Sequence, residues 1–217
     1  MSSVLLIRPA QSTWNATGRW QGQADPPLSA AGEELARQAA VRLAADTDVE
    51  LVITSDLQRA RRTGEILAGR VGVARSGRQA PELVAEPGLR EFHVGEWSGL
   101  TRMEIEERWP SLLASFDAGR LTAAPGGETR SEFDARVRHA AERVARAIDR
   151  HRAGCTLVVT HGGVIRSLAR TTGLQERHVP NLGGYRGAAS PEGLSLHYPV
   201  DLLRDPGSGE ISGPVAL

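Results

Sequence analysis

The chain has 217 residues, of which 40% are hydrophobic and 24% charged. This length and balance are typical of one globular domain with a sizeable core, and they argue against a disordered chain. The formal net charge is zero and the isoelectric point is about 7.0. Composition therefore does not indicate binding to nucleic acid or to an anionic membrane surface.

The number of cysteines and the hydropathy pattern further restrict the class of protein. The single cysteine, Cys155, excludes an internal disulfide. The sequence opens without a charged-then-apolar leader, and no apolar run approaches the roughly 18 residues of a membrane helix. We therefore expect a cytoplasmic protein. The histidines and the cysteine show no metal-ligand spacing, so we predict neither a metal nor a cofactor.

Three short apolar runs are predicted to be buried strands: 4–7, 51–53 and 157–159. Helical periodicity covers 30–45, with Ser29 as the N-cap, and continues in 58–67 and 131–151. Strands that alternate with helices predict an α/β fold with right-handed crossovers.

In such sheets, ligands bind beyond the carboxyl ends of the strands. Arg8, Ser55 and His161 each follow an apolar run and are expected at that edge. We find no linker and no repeat, so we predict a single domain over 1–217. Within it, 102–127 is predicted to be an inserted helix and loop over the site. The Gly-, Pro- and Ser-rich tail after 183 is predicted to be irregular.

Four segments carry the strongest functional signal. They are Arg8-Pro9-Ala10-Gln11 after the first strand, Ser55 to Thr63, Leu89 to Leu100, and Val158 to Arg166. Their order and spacing resemble the histidine phosphatase (phosphoglycerate mutase-like) superfamily, and Pro125 to Thr129 adds a fifth agreement. The resemblance implies a three-layer α/β/α sandwich with a mostly parallel central sheet. By analogy alone, it also suggests a homodimer.

The resemblance assigns roles to particular residues. Arg8 and Arg59 are expected to bind phosphate oxygens, since guanidinium groups are permanently charged, bidentate donors. Glu91 matches the glutamate that serves as proton donor, and His161 matches the second histidine of the family. Asn15 and Gln21 are candidates for orienting the rest of the ligand. The other histidines match no motif position and are predicted to be solvated or packing residues: His93, His139, His151, His178 and His197.

The departure from the family lies at Pro9. The family has Arg-His-Gly-Glu where this chain has Arg8, Pro9, Ala10 and Gln11, and its histidine there accepts the phosphoryl group. Proline has no nucleophilic side-chain atom and no backbone N–H. Phosphohistidine chemistry therefore cannot start at Pro9, and Gln11 replaces a carboxylate with a neutral amide.

Three interpretations remain open. In the first, Glu91 and His161 carry out acid–base chemistry on a small anionic metabolite, a phosphate or a carboxylate, that Arg8 and Arg59 anchor. In the second, the protein has lost catalysis and binds such a ligand as a sensor or scaffold. In the third, His161 or a water molecule supports weak phosphatase or phosphomutase activity. The missing covalent nucleophile removes the route that divides one hard step into two easier ones.

Overall fold

The computed structural model describes residues 2–74, 80–151, 154–175 and 177–204. In these ranges the strands are β1 (Ser2–Ile7), β2 (Leu51–Thr54), β3 (Glu82–Ala85), β4 (Cys155–Val159), β5 (Gly183–Ser190) and β6 (Gly193–Asp201). The helices are α1 (Thr13–Ala16), α2 (Ala30–Asp46), α3 (Gln58–Ala74), α4 (Arg102–Arg108), α5 (Pro110–Asp117), α6 (Arg130–His151) and α7 (Gly162–Thr171).

The strands form one six-stranded sheet in the order β3-β2-β4-β1-β5-β6. The first four strands in this order are mutually parallel, and β5 and β6 add an antiparallel edge next to β1. Because β1, β2 and β4 run in the same direction, their carboxyl ends meet at one edge of the sheet. The chain leaves this edge at Arg8, Ser55 and Thr160.

Alternate strand residues face opposite cores, as the period of a strand requires. Val4 and Leu6 of β1 pack into one apolar cluster with α6 and α7. Leu5 and Ile7 pack into a second cluster with α2 and α3. Helices therefore cover both faces of the sheet, and the predicted three-layer α/β/α sandwich is confirmed.

The predicted strands and helices are confirmed with modest changes at their ends. Ser29 is the N-cap of α2, where its hydroxyl accepts the Gly32 N–H at 2.9 Å. Helix α3 continues past the predicted end at Leu67 to Ala74. None of the helices in the described ranges is long and apolar enough to cross a membrane.

Segment 102–127 contains two short helices rather than one. Thr101 and Glu104 form a capping box that starts α4, and Pro110 begins α5 at a position where its missing N–H costs nothing. Both helices pack on a third apolar cluster around Trp97. Of this segment, only Phe116 lines the cavity described below.

The prediction that the tail after 183 is irregular is wrong for its described part, which forms β5 and β6. The glycines that suggested a loop are needed for close strand contacts. A β-carbon at Gly184 would collide with the carbonyl oxygen of Leu6, and one at Gly187 with that of Ser195. Glycine is therefore required here because two backbones approach closely, and not because the chain turns. The remainder of the tail, 205–217, lies outside the described residues.

We expect the change Gly184→Ala to lower the free energy of unfolding by about 2 kcal/mol or more, because β5 must move away from β1. Gly69→Ala is the matched control, since Gly69 lies on the exposed face of α3 with no atom near the added carbon. There we expect a gain of about 0.5–1 kcal/mol from helix propensity. Urea unfolding of both variants measures the difference. Equal effects would contradict the packing argument.

Candidate functional site

A cavity of about 340 Å³ opens at the carboxyl edge of the sheet. All of the site residues named from the sequence line it: Arg8, Pro9, Asn15, Gln21, Arg59, Glu91 and His161. They come from the end of β1, from α1 and the loop after it, from the start of α3, from the segment after β3 and from the end of β4. The parallel topology therefore brings together side chains that are up to 153 positions apart in sequence.

Arg8 extends from the end of β1 into the cavity. Its Nη1 donates to the carbonyl oxygen of Val179 at 2.7 Å, which holds the guanidinium group in place. Burial lowers the pKa of Arg8, and Arg166 lowers it further, while Glu91 raises it. An arginine remains charged despite such a shift, so Arg8 presents a desolvated positive charge.

Arg59 is 3% exposed on the first turn of α3. Its Nη1 donates to Ala24 O at 2.7 Å and its Nη2 to Gly22 O at 2.9 Å. Burial lowers the pKa of Arg59 to about 10, against the opposing effects of Glu91 and Asp25. The two carbonyls fix the guanidinium group without neutralising it, because neither carries a full charge.

His161 lies two residues after the end of β4 and is the N-cap residue of α7. It is 2% exposed, and its buried Nε2 has no hydrogen-bond partner among the described residues. Burial, followed by the charges of Arg59 and Arg8, lowers the pKa of His161 well below 6.5. The imidazole is therefore neutral at neutral pH, and its unpaired nitrogen suits a ligand atom.

Glu91 is held at the N-terminus of α7. Its Oε1 accepts the Phe92 N–H at 2.8 Å, and its Oε2 accepts the Gly163 N–H at 3.1 Å. A β-carbon at residue 163 would collide with Oε1, so the second glycine of the His-Gly-Gly sequence makes room for this carboxylate. Its charge acts on both Arg8 and Arg59.

The oxygens of the two amide side chains that line the cavity are bonded to Ser12. The Ser12 hydroxyl donates to Gln21 Oε1 at 2.7 Å, and the Ser12 N–H donates to Asn15 Oδ1 at 3.3 Å. With both amide oxygens occupied, the amide nitrogens of Asn15 and Gln21 are the groups left to face a ligand. This arrangement suits an anion, which accepts hydrogen bonds and donates none.

Pro9 is buried, and its carbonyl oxygen accepts the Asn181 Nδ2 at 2.7 Å. Gln11 does not line the cavity, because its Oε1 accepts the Ser29 hydroxyl at 2.9 Å at the start of α2. Ser55 also lies outside the lining, and its hydroxyl accepts the Leu57 N–H at 3.3 Å. The change at position 11 thus does not alter the cavity lining directly.

Sequence reasoning missed four polar residues that line the cavity: Arg19, Arg166, His178 and Asn181. Arg19 is paired with Glu104 at 3.0 Å. Arg166 lies one helical turn after Gly162 on α7, so that both residues lie on the same face of the helix. This spacing could have predicted from the sequence that Arg166 reaches the cavity. His178 and Asn181 lie on the segment between α7 and β5, which no motif marks. His178 was predicted to be a solvated or packing residue, and the structure places it, half-buried, in the cavity lining.

Aromatic side chains also line the cavity. Trp20 packs edge-on against Trp97 and Phe116, at centroid distances of 5.5 and 5.3 Å. Phe92 joins Trp20 and Phe116 in the lining. As for metals, the described ranges contain no group of three or more His, Cys, Asp or Glu residues arranged to hold an ion.

Comparisons with known proteins agree with this architecture. The model of the histidine phosphatase superfamily (branch 1) matches residues 4–190. A glucosyl-3-phosphoglycerate phosphatase of Mycolicibacterium vanbaalenii is 34% identical over 210 residues, covering 94% of this chain and 88% of that protein. A metal-independent phosphoserine phosphatase of Arabidopsis thaliana is 33% identical over 170 residues, covering 77% and 67% respectively.

Solved structures resemble this chain over most of its length. Phosphoglycerate mutase from Bacillus anthracis superposes with a TM-score of 0.77 at 20% identity, covering 93% of each chain, which shows likeness of fold. A mycobacterial glucosyl-3-phosphoglycerate phosphatase in complex with VO3 has a TM-score of 0.70 at 27% identity, covering 87% of this chain and 93% of that one. By its sequence matches and its architecture, the chain belongs to the histidine phosphatase superfamily.

Proposed function

We propose that this protein binds a small anionic metabolite, a phosphomonoester above all, and converts it by proton transfer without a phosphohistidine intermediate. One observation carries the proposal. Arg8, Arg59 and a neutral His161 line the same cavity, beside a proline that offers no nucleophile. A cavity of about 340 Å³ lies near the lower limit for small-molecule sites, which favours a small ligand.

The charges of the lining residues suit a dianion. Arg19 is neutralised by Glu104 at 3.0 Å, which leaves Arg8, Arg59 and Arg166 facing Glu91. Three guanidinium groups and one carboxylate leave two positive charges in a partly dry site. A phosphomonoester dianion balances them, whereas a monocarboxylate leaves one buried charge uncompensated.

His161 is the candidate proton acceptor. A general base must be unprotonated at working pH, and the lowered pKa of His161 meets this condition. Glu91 is the candidate proton donor once it has taken up a proton from solvent, since it lines the same cavity and its backbone hydrogen bonds hold it there. Such a pair serves isomerisation, elimination or lyase-type cleavage.

A weak phosphatase is the second candidate, and the relatives favour it. Proteins of the family include phosphatases and mutase-like proteins, which support a phosphatase-like function for this chain. In this alternative, His161 or an activated water attacks phosphorus. A protein that only binds its ligand is the third candidate, and the test of phosphoryl chemistry below separates the phosphatase from the other two.

Anion binding tests the cavity itself. We expect calorimetric titration to show sulfate and inorganic phosphate binding to the wild type, and Arg59→Gln to weaken both about tenfold or more, because a charge-assisted bond is lost. Arg61→Gln is the matched control. Arg61 lies on the same helix but is exposed and pairs with Glu65 at 3.1 Å, so binding should not change.

Arg166→Gln provides a second test that does not disturb the carbonyl contacts of Arg59. Thermal unfolding of each variant shows whether it is folded. Wild-type affinity in both Arg59→Gln and Arg166→Gln, or no anion binding by the wild type, would refute the proposed site.

Phosphoryl chemistry is tested by restoring the family sequence. We expect a variant with Pro9→His, Ala10→Gly and Gln11→Glu to form an acid-labile phosphoenzyme with an aryl phosphate, and the wild type to form none, because Pro9 has no acceptor atom. Phosphorus NMR and intact mass spectrometry detect the adduct. Robust phosphate release by the wild type would favour the phosphatase over proton-transfer chemistry.

The neutrality of His161 predicts a pH dependence of stability. In the unfolded chain the imidazole takes up a proton below about pH 6.5, whereas in the folded protein the pKa lies well below this value. The free energy of unfolding should therefore fall as the pH falls below about 6.5, with His161 contributing up to about 1.4 kcal/mol per pH unit.

The comparison is urea unfolding of the wild type and His161→Gln between pH 8 and 5. The variant should lose this part of the slope. His197→Gln serves as the control, because His197 is exposed on β6. A wild-type slope retained in His161→Gln would mean that this imidazole titrates normally in the fold.

A further inference from the structure

The segment 178–183 runs directly over Arg8 and Pro9. The Leu182 N–H donates to Arg8 O at 3.0 Å, and the Arg8 N–H donates to Gly183 O at 2.8 Å. Side chains add to this pairing, since Arg8 Nη1 reaches the carbonyl oxygen of Val179 and Asn181 Nδ2 reaches that of Pro9, each at 2.7 Å. The segment is thus bound to the two residues whose position defines the site.

Backbone strain supports a fixed position for this segment. Leu182 has φ = 62°, the only positive φ at a non-glycine residue in the described ranges. This left-handed conformation costs a leucine about 1–2 kcal/mol. It is held by complete burial of the side chain and by hydrogen bonds at both ends of the residue, to Arg8 O and from the Leu202 N–H.

The consequence is a second imidazole in the cavity. His178 is half-buried and lines the cavity next to Val179, whose carbonyl oxygen holds Arg8. It differs from His161, which is fully buried and kept neutral. Two titratable groups placed in unlike environments can divide the donor and acceptor roles between them.

We propose that His178 contacts the bound anion at the Pro9 end of the cavity and carries a proton to it. This inference rests on the proposed function of the cavity. In the conversion, protonated His178 takes the donor role in place of Glu91 and gives a proton to the ligand, while His161 takes one from it. His178 then regains a proton from solvent, and His161 loses one, so that the proton count balances.

The charged groups of the cavity determine whether anion binding promotes or opposes protonation of His178. They lie at the end of β1, in the loop after α1, on α3, after β3, and at the start of α7: Arg8, Arg19, Arg59, Glu91, His161 and Arg166. A bound dianion favours the charged form of an imidazole beside it, so anion binding is linked to proton uptake by His178.

Sulfate is the probe, because it stays a dianion between pH 5.5 and 8.0 and its pH dependence of binding reports only on the protein. We expect the wild type to bind sulfate about tenfold more tightly at pH 5.5 than at pH 8.0, the gain of one charge-assisted hydrogen bond. His178→Gln should reduce this ratio to less than about twofold. His197→Gln, the surface control, should keep it.

NMR of histidine-labelled protein gives a readout independent of affinity. The ring signals of His178, assigned by their loss in His178→Gln, should shift with sulfate, and its pKa should rise. A full tenfold ratio in His178→Gln, or ring signals that sulfate leaves unchanged, would overturn the role of His178. Failure of the proposed function looks different, because then the wild type binds no sulfate or Arg59→Gln binds it normally.

Discussion

The site depends on two desolvated guanidinium groups whose charge the protein offsets only in part. Arg8 and Arg59 are held by carbonyl oxygens of Val179, Gly22 and Ala24, which orient them but carry only partial charge. A single carboxylate, Glu91, acts on both. Desolvated charge is expensive, and the cost is offset when an anion enters. Anion binding is therefore built into the packing of this edge of the sheet.

The same arrangement explains why His161 is neutral. The field of the arginines and complete burial both disfavour the imidazolium form. Glycine at position 163 admits the carboxylate of Glu91 to the start of α7, two residues after His161. A change at Arg8 or Arg59 would therefore alter the electrostatic environment of both His161 and Glu91.

The backbone tolerates proline at position 9 for an identifiable reason. Strand β1 ends at Ile7. The last backbone N–H here that pairs with the neighbouring segment is that of Arg8, which donates to the carbonyl oxygen of Gly183. The sheet therefore requires no N–H donor at residue 9, and the fixed φ of proline suits a chain that leaves the strand. The carbonyl oxygen of Pro9 still binds Asn181, which ties the position to the segment carrying His178.

Much of the site was readable from local patterns. The apolar runs predicted β1, β2 and β4, and the residues that follow them predicted a shared edge, since parallel strands bring their carboxyl ends together. Ser29 marked the start of α2 because a hydroxyl can satisfy the first free N–H groups of a helix. The family motifs added the identities of Arg59 and Glu91, which no apolar period marks.

The sequence-based predictions failed for residues whose role depends on parts of the chain that are far away in sequence. Gly184 and Gly187 read as loop residues, yet they form a strand because the backbones of β1 and β6 approach too closely for a side chain. His178 carries no local signal, since only the pairing of residues 179–183 with Arg8 and Pro9 brings it to the cavity. Sequence alone thus determined which side chains follow which strands. The tertiary structure decided which glycines lie in paired strands, that His161 is kept neutral and that His178 reaches the same cavity. Burial and charge at one position depend on residues from the whole fold.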